Sequence, residues 1–257
     1  MLGAIAGDVI GSVFERARTK RTDFDLFNEH STFTDDSVLT VAVADALLTG
    51  TGYVEKLQEY GRLYPNAGYG GNFFRWILSP EPEPYGSWGN GSALRVSPVA
   101  WAFDNLQDVL KEAKASAEVT HNAPEGIVGA QATAAAVFLA RKGKSKDEIK
   151  DYLEDNFAYD LSTPIATIRP TYSFDVSCPG SVPQALRCFY EAEDVENAIR
   201  LAISLGGDAD TQACIAGAVA EAFFGPLPES LATPVLARLD ERLRSVIHDF
   251  FENFKNK

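Results

Sequence analysis

Two short acidic clusters hold the densest chemistry in the sequence. The first is Thr34-Asp35-Asp36-Ser37 and the second is Gly206-Gly207-Asp208-Ala209-Asp210-Thr211. Each sets two carboxylates and a hydroxyl at the start of an apolar run. Helix capping accounts for part of this. Thr34 suits an N-cap, and acids in a first turn face the positive end of the helix dipole. Gly206 reads as a C′ glycine and Asp208 as the N-cap of the next helix. Capping leaves Gly207, Asp210 and Thr211 without a need to be what they are. Oxygen-only donors suit hard cations such as Mg²⁺, Mn²⁺ or Ca²⁺. If the two helix starts meet in the fold, their carboxylates could hold two divalent ions, with the hydroxyls completing the shells.

The elements that must bring the clusters together are helical. In 37–48 (SVLTVAVADALL), Val38, Leu39, Ala42, Ala46 and Leu47 follow an i, i+3, i+4 pattern. Further helices are expected at 2–15, 53–64, 71–78, 92–102, 105–117, 124–142, 146–156, 181–191, 194–204, 209–223 and 230–253. The best strand candidate is 163–175, and its two prolines argue against it. The small residues of 129–140 (GAQATAAAVFLA) suit a central helix packed on all sides, with Pro124 at a first helical position. The expectation is an all-α, compact single domain over 1–257. Two Gly/Pro-rich loops, 79–91 and 169–183, interrupt the helices, and long aromatic loops in compact domains are more often functional than idle.

Composition narrows the function classes. Of 257 residues, 23 are Lys or Arg and 36 are Asp or Glu, for a net charge of −13. Such a surface repels phosphate backbones and anionic membranes, so nucleic acid is an unfavoured partner. No apolar run reaches the roughly 18 residues of a membrane span. Three cysteines, Cys178, Cys188 and Cys214, match neither a zinc site nor a paired framework. Free thiols and an N-terminus without a basic signal region point to the cytoplasm.

Taken in order, the motifs resemble the ADP-ribosylglycohydrolase family, which includes the dinitrogenase reductase-activating glycohydrolase. The matching stretches begin with Gly3-Ala4-Ile5-Ala6-Gly7-Asp8 running to Glu15, then Phe33-Thr34-Asp35-Asp36-Ser37 and Gly68-Tyr69-Gly70-Gly71. They continue with Tyr85-Gly86-Ser87-Trp88-Gly89-Asn90-Gly91-Ser92-Ala93-Leu94-Arg95, Thr120-His121, and Gly206 to Thr211. Each is weak alone; six in the family's order are specific.

The resemblance implies an all-α fold around a binuclear Mg²⁺ or Mn²⁺ cleft. It assigns Thr34, Asp35 and Asp36 to the metals from one side and Asp208, Asp210 and Thr211 from the other. It sets Glu15 beside the scissile bond, although a solvated helix-end carboxylate followed by Arg16 is an equal reading. ADP-ribose would lie over the metals, with Gly70 and Gly71 allowing close backbone approach. Ser87, Gly89 and Gly91 would wrap the diphosphate. Trp88 would stack on adenine, with Tyr85 as its other face or as a loop anchor. His121 would donate to a phosphate or ribose, and Asn90 would hold the loop. Arg95 reads as a buried ion pair before a phosphate ligand, and Tyr172 and Phe174 are candidates for lining the cleft. The segment from Glu15 to Asp35 is compact for the family, so substrate choice transfers least.

The implied reaction is hydrolysis at C1″ of the distal ribose, through an oxocarbenium-like transition state. Asp35, Asp36 or Asp210 would take the proton of a metal-polarised water, while Glu15 would act on the 2″-hydroxyl or the leaving group. The expected partners are ADP-ribose and an ADP-ribosylated protein or small molecule. The leading linkage is arginine on protein, and serine-linked or small-molecule conjugates are the alternatives. The rival readings are a non-hydrolytic ADP-ribose binder, a two-metal phosphatase and a metal-free interaction protein.

Overall fold

A computed structural model describes residues 1–254. Its described residues form helices joined by turns and loops. In chain order they are α1 (Leu2–Gly11), α2 (Asp35–Thr49), α3 (Tyr53–Leu63), α4 (Gly71–Leu78), α5 (Gly91–Leu94), α6 (Ser97–Ala102), α7 (Leu106–Glu118) and α8 (Pro124–Arg141). There follow α9 (Lys146–Phe157), α10 (Ile165–Ile168), α11 (Cys178–Glu191), α12 (Val195–Ile203), α13 (Ala209–Phe224), α14 (Glu229–Arg238) and α15 (Glu241–Phe254). Among the described residues no helix is long and apolar enough to cross a membrane.

Helices α2, α8 and α13 are buried nearly all round. A helix apolar on every face belongs in the centre of a protein, which is where the small-residue pattern of 129–140 puts α8. Helix α1 packs on α13 through glycines four apart. A Cβ on Gly3 would fall 2.3 Å from the Gly217 carbonyl oxygen, one on Gly7 2.1 Å from that of Ala213, and one on Gly11 2.5 Å from Cα of Asp210. The row sits on one face of α1. It lets two backbones touch, and so brings Asp8 on α1 close to Asp210 on α13.

Several expected boundaries are corrected. The helix expected over 2–15 ends at Gly11, where the Ser12 hydroxyl donates to the Val9 carbonyl and the chain turns. The helix expected over 92–102 is split into α5 and α6. Pro98 has no N–H for the Leu94 carbonyl, which instead accepts from the Thr40 hydroxyl at 3.4 Å and the Cys214 thiol at 3.4 Å. The helix expected over 230–253 breaks at Leu239, and Asp240 restarts it by accepting from the Leu243 amide at 2.9 Å. The helix expected from 181 begins earlier, at Cys178, capped by the Ser177 side chain. The strand candidate 163–175 contains the single turn α10 instead, after Pro164.

The two long loops are stitched together. The Asn90 amide donates to the Val176 carbonyl at 2.8 Å, and the Cys178 amide to the Trp88 carbonyl at 2.9 Å. This short antiparallel bridge, Gly89 to Ser177, fixes the glycine-rich turn beside the N-termini of α2 and α13.

Candidate active site

Both acidic clusters open onto one cleft of about 460 Å³. Thr34, Asp35 and Asp36 line it from the start of α2, and Asp208, Asp210 and Thr211 from the start of α13. Glu15, Gly70, Gly71, Tyr85, Ser87, Gly89, Gly91 and His121 line the same cleft. The structure therefore gathers every residue assigned to metal, catalysis or substrate binding except Trp88, which does not line the cleft and is 56% exposed. Phe174 lines it; Tyr172 does not, and instead bonds the Gly180 carbonyl and Gln212.

The start of α2 is built on Asp8. Its carboxylate accepts from the Thr34 amide at 2.9 Å, the Thr34 hydroxyl at 2.6 Å and the Ser37 amide at 3.0 Å, and also from the Ser37 hydroxyl. Thr34 caps the helix as expected, receiving the Asp36 amide at 3.2 Å. The sequence reading gave Asp8 no part beyond its place in a motif. The available signal was an acid inside an otherwise apolar, glycine-spaced helix, since a fully buried acid persists only with partners.

The start of α13 differs from its expectation. Asp208 occupies the N-cap position without making a side-chain cap. Its carboxylate accepts from Asn90 Nδ2 at 2.8 Å, which ties the glycine-rich turn to the acidic cluster. The Asp210 carboxylate accepts from the Thr211 amide at 3.0 Å, and the Thr211 hydroxyl donates to Asp36 Oδ2 at 2.9 Å. The two clusters are thus in direct contact.

These carboxyls repel one another in a dry environment. Burial, and then the neighbouring Asp8, push Asp35 up to about 7. Burial and the charges of Asp210 and Asp8 push Asp36 well above the usual carboxylate range. Asp210 is raised in the same way by burial and by Asp208. Asp208 is raised too, chiefly by burial, although the bond from Asn90 works against the shift. The helix dipoles soften this repulsion only partly. Among the described residues, no three His, Cys, Asp or Glu side chains already close on a common point as a formed metal shell. The donor set is nonetheless all oxygen, and a hard cation would relieve the buried repulsion, so the residues fit divalent ions.

The glycine-rich stretches line the same cleft without adding a carboxylate, and Arg95 lies in that wall. Ideal Cβ atoms on Gly70 and Gly71 would meet nothing within 4 Å, so open space adjoins that backbone. A Cβ on Gly91 would stand 3.1 Å from His121 Nε2, which explains glycine there. The Ser87 hydroxyl accepts from the Gly89 amide at 3.2 Å. Tyr85 faces His121, with ring centroids 6.2 Å apart. His121 is buried and held neutral, its pKa lowered well below the usual value by burial and by Arg95. Arg95 corrects an expectation. Among the described residues it makes no ion pair, and Nη2 donates to the Ser116 carbonyl and the Thr120 hydroxyl, each at 2.8 Å.

Known proteins share this plan. The sequence profile described as ADP-ribosylglycohydrolase matches residues 1–257. The chain is 29% identical to the ADP-ribosylhydrolase ARH3 of Gallus gallus over 315 aligned positions, covering 88% of this chain and 84% of that protein. It is 28% identical to the ADP-ribosylhydrolase ARH3 of Homo sapiens, covering 90% of this chain and 86% of that protein. The ADP-ribosylarginine hydrolase Tri1 of Pseudomonas putida is 29% identical over 154 positions, covering 53% of this chain and 38% of that one. A solved structure of an ADP-ribosylglycohydrolase-related protein complex superposes with a TM-score of 0.70 at 25% identity, covering 98% of this chain and 96% of that one. With its helical fold, its acidic helix starts and its glycine-rich turn in one cleft, the chain belongs to the ADP-ribosylglycohydrolase family and is a glycohydrolase.

Proposed function

We propose that the enzyme hydrolyses the glycosidic bond between ADP-ribose and an acceptor and releases ADP-ribose. The observation that carries this reading is the meeting of Asp36 and Thr211 from two remote helix starts, in a cleft that also contains a glycine-rich turn. Two divalent cations, Mg²⁺ or Mn²⁺, would be held by Thr34, Asp35 and Asp36 on one side and Asp208, Asp210 and Thr211 on the other. When bound they supply positive charge to orient the ribose hydroxyls and polarise a water.

The chain's own groups do the rest. Asp35, Asp36 and Asp210 are the candidates to receive the water's proton, because each carries a carboxyl oxygen at the cleft wall and a raised proton affinity. Glu15 stands on the turn after α1, facing the same cleft, and is placed for the 2″-hydroxyl or the leaving group. Gly70 and Gly71 leave room for a sugar against the backbone. Ser87, Gly89, Gly91 and His121 form the diphosphate end, and Tyr85 flanks it. Trp88 stands outside as a free stacking surface for adenine.

For the acceptor we favour arginine on a protein. The carboxylates of the cleft attract a guanidinium, and a partial relative is named an ADP-ribosylarginine hydrolase. The test is ADP-ribose release from arginine-, serine- and nucleotide-linked conjugates, with Mg²⁺ or Mn²⁺ and with chelator. Metal-dependent release from the arginine conjugate is expected. Release from the serine conjugate alone would move the acceptor and keep the reaction. ADP-ribose binding without turnover on any conjugate, or release of inorganic phosphate, would overturn the hydrolytic reading.

A further inference from the structure

Arg95 is fully buried and lies in the wall of the cleft, where it is the one lysine or arginine among the described lining residues. No carboxylate pairs with it among the described residues, and its Nε and Nη1 have no hydrogen-bond partner. A buried cation left uncompensated is costly, so its presence in the wall of this cleft calls for a reason beyond packing on Phe73.

The reason lies in a chain of three groups. Arg95 Nη2 donates to the Thr120 hydroxyl at 2.8 Å. That hydroxyl lies 2.7 Å from His121 Nδ1. A guanidinium only donates, so one lone pair of Thr120 Oγ1 is taken. The hydroxyl has one hydrogen, and His121 Nδ1 is the acceptor beside it. Were Nδ1 to hold the proton, the Thr120 hydrogen would be left buried without a partner, which native structures avoid. The direction of the chain therefore runs from Arg95 through Thr120 to Nδ1, and Nε2 holds the imidazole proton. Nε2 is the edge that faces the glycine-rich turn, 3.1 Å from an ideal Cβ on Gly91 and 3.7 Å from one on Gly89.

We propose that Arg95, acting through Thr120, is a positioning residue that fixes His121 as a neutral Nε2–H donor toward the Gly89–Gly91 turn. A diphosphate has only acceptors to offer, so a donor of fixed tautomer suits it. The tautomer stands on geometry alone, whereas its use toward a diphosphate rests on the ADP-ribose reading above.

The experiment is ¹⁵N NMR of the imidazole nitrogens in the ligand-free protein, with His121 assigned by His121→Asn. The other two histidines, His30 and His248, are exposed and serve as internal references. The expected spectrum has Nδ1 of His121 in the unprotonated range and Nε2 in the protonated range. Thr120→Val should average the two shifts, and Thr120→Ser should restore the wild-type pattern. A wild-type Nδ1–H tautomer, or shifts unmoved by Thr120→Val, would overturn the proposal whether or not any ligand binds. With ADP-ribose as probe, Thr120→Val should bind about tenfold more weakly, the scale of one charge-assisted hydrogen bond, while adenosine binding stays level. Equal losses for ADP-ribose and adenosine would overturn the positioning role, because the chain would then not act through the diphosphate. If the tautomer is as stated and ADP-ribose fails to bind the wild type, the functional reading fails and the positioning chain stands.

Discussion

The Thr211 hydroxyl donates to Asp36 Oδ2 at 2.9 Å across a sequence separation of 175 residues. This bond joins the first turn of α13 to the first turn of α2 in a buried setting. Thr211→Val keeps the shape and removes the donor. In the metal-free protein it should cost about 2 kcal/mol, as expected for a bond to a buried carboxylate. That corresponds to a melting temperature lower by roughly 4–8 °C in a domain of this size. Saturating Mn²⁺ should recover less stability in the variant than in the wild type, because one of the proposed oxygen donors is gone. Equal recovery by calorimetry would remove Thr211 from the metal-holding set.

The pH dependence of the metal-free protein should run opposite to that set by ion-paired carboxylates. Asp35 is raised from its ordinary 3.8 to about 7, by burial and by Asp8, so the folded state binds more protons than the unfolded chain between those values. Stability then rises as pH falls through that window and is lost as pH climbs past about 7. Asp36 and Asp210 are shifted the same way and add to the slope. Melting in chelator should therefore occur several degrees higher near pH 6 than near pH 8, roughly. Divalent ions should abolish or reverse this trend by favouring the ionised carboxylates, with protons released on binding. A chelated protein that melts higher at the more alkaline pH would show that the cluster is not under electrostatic stress.

The approach of Asp8 to Asp210 depends on Gly7, whose added Cβ would fall 2.1 Å from the Ala213 carbonyl oxygen and 2.5 Å from the Cys214 nitrogen. The obstacles are backbone, so no side chain can swing away. Gly7→Ala should destabilise by at least about 3 kcal/mol, the upper end for overpacking, despite the better helix propensity of alanine. Gly50→Ala is a useful contrast. It has open space around it but a φ of +69°, and should cost only about 1 kcal/mol. Comparable losses in chemical denaturation would mean that α1 and α13 can separate without penalty.

What the sequence made legible follows from the range of the forces. The helices 71–78 and 209–223 were readable because apolar period and capping are local, and α4 and α13 match them within a residue. The acidic clusters were readable because capping could not account for Asp210 and Thr211. Asp8 was not, since its partners Thr34 and Ser37 lie 26 and 29 residues away and are met only once α1 is docked. The split at Arg95 and Val96 was missed because Pro98 acts on the Leu94 carbonyl, whose substitute donors, Thr40 and Cys214, come from α2 and α13. Arg95 was expected in an ion pair, the ordinary fate of a buried cation. Its actual partners, a backbone carbonyl in the last turn of α7 and a hydroxyl just beyond that helix, have no sequence signature.

Trp88 is the expected site residue that the cleft does not include, and its exposure makes it testable. The turn that presents it is rigid: its carbonyl accepts from the Cys178 amide at 2.9 Å, and the next residues are held to Val176 and Ser87. A tryptophan 56% exposed on such a turn gains nothing from the core. Stacking of a base on an aromatic ring contributes about 1–3 kcal/mol. Trp88→Ala should therefore weaken ADP-ribose by about tenfold to a hundredfold while leaving ribose 5-phosphate unaffected. Stability should hardly change, which separates a ligand surface from a structural anchor. Fluorescence gives the direct reading, because Trp76 is buried and Trp101 is half-buried against Phe251. ADP-ribose should shield Trp88 from an aqueous quencher, and ribose 5-phosphate should not. If both ligands protect the indole equally, or neither does, the adenine lies elsewhere, against an aromatic inside the cleft such as Tyr85 or Phe174.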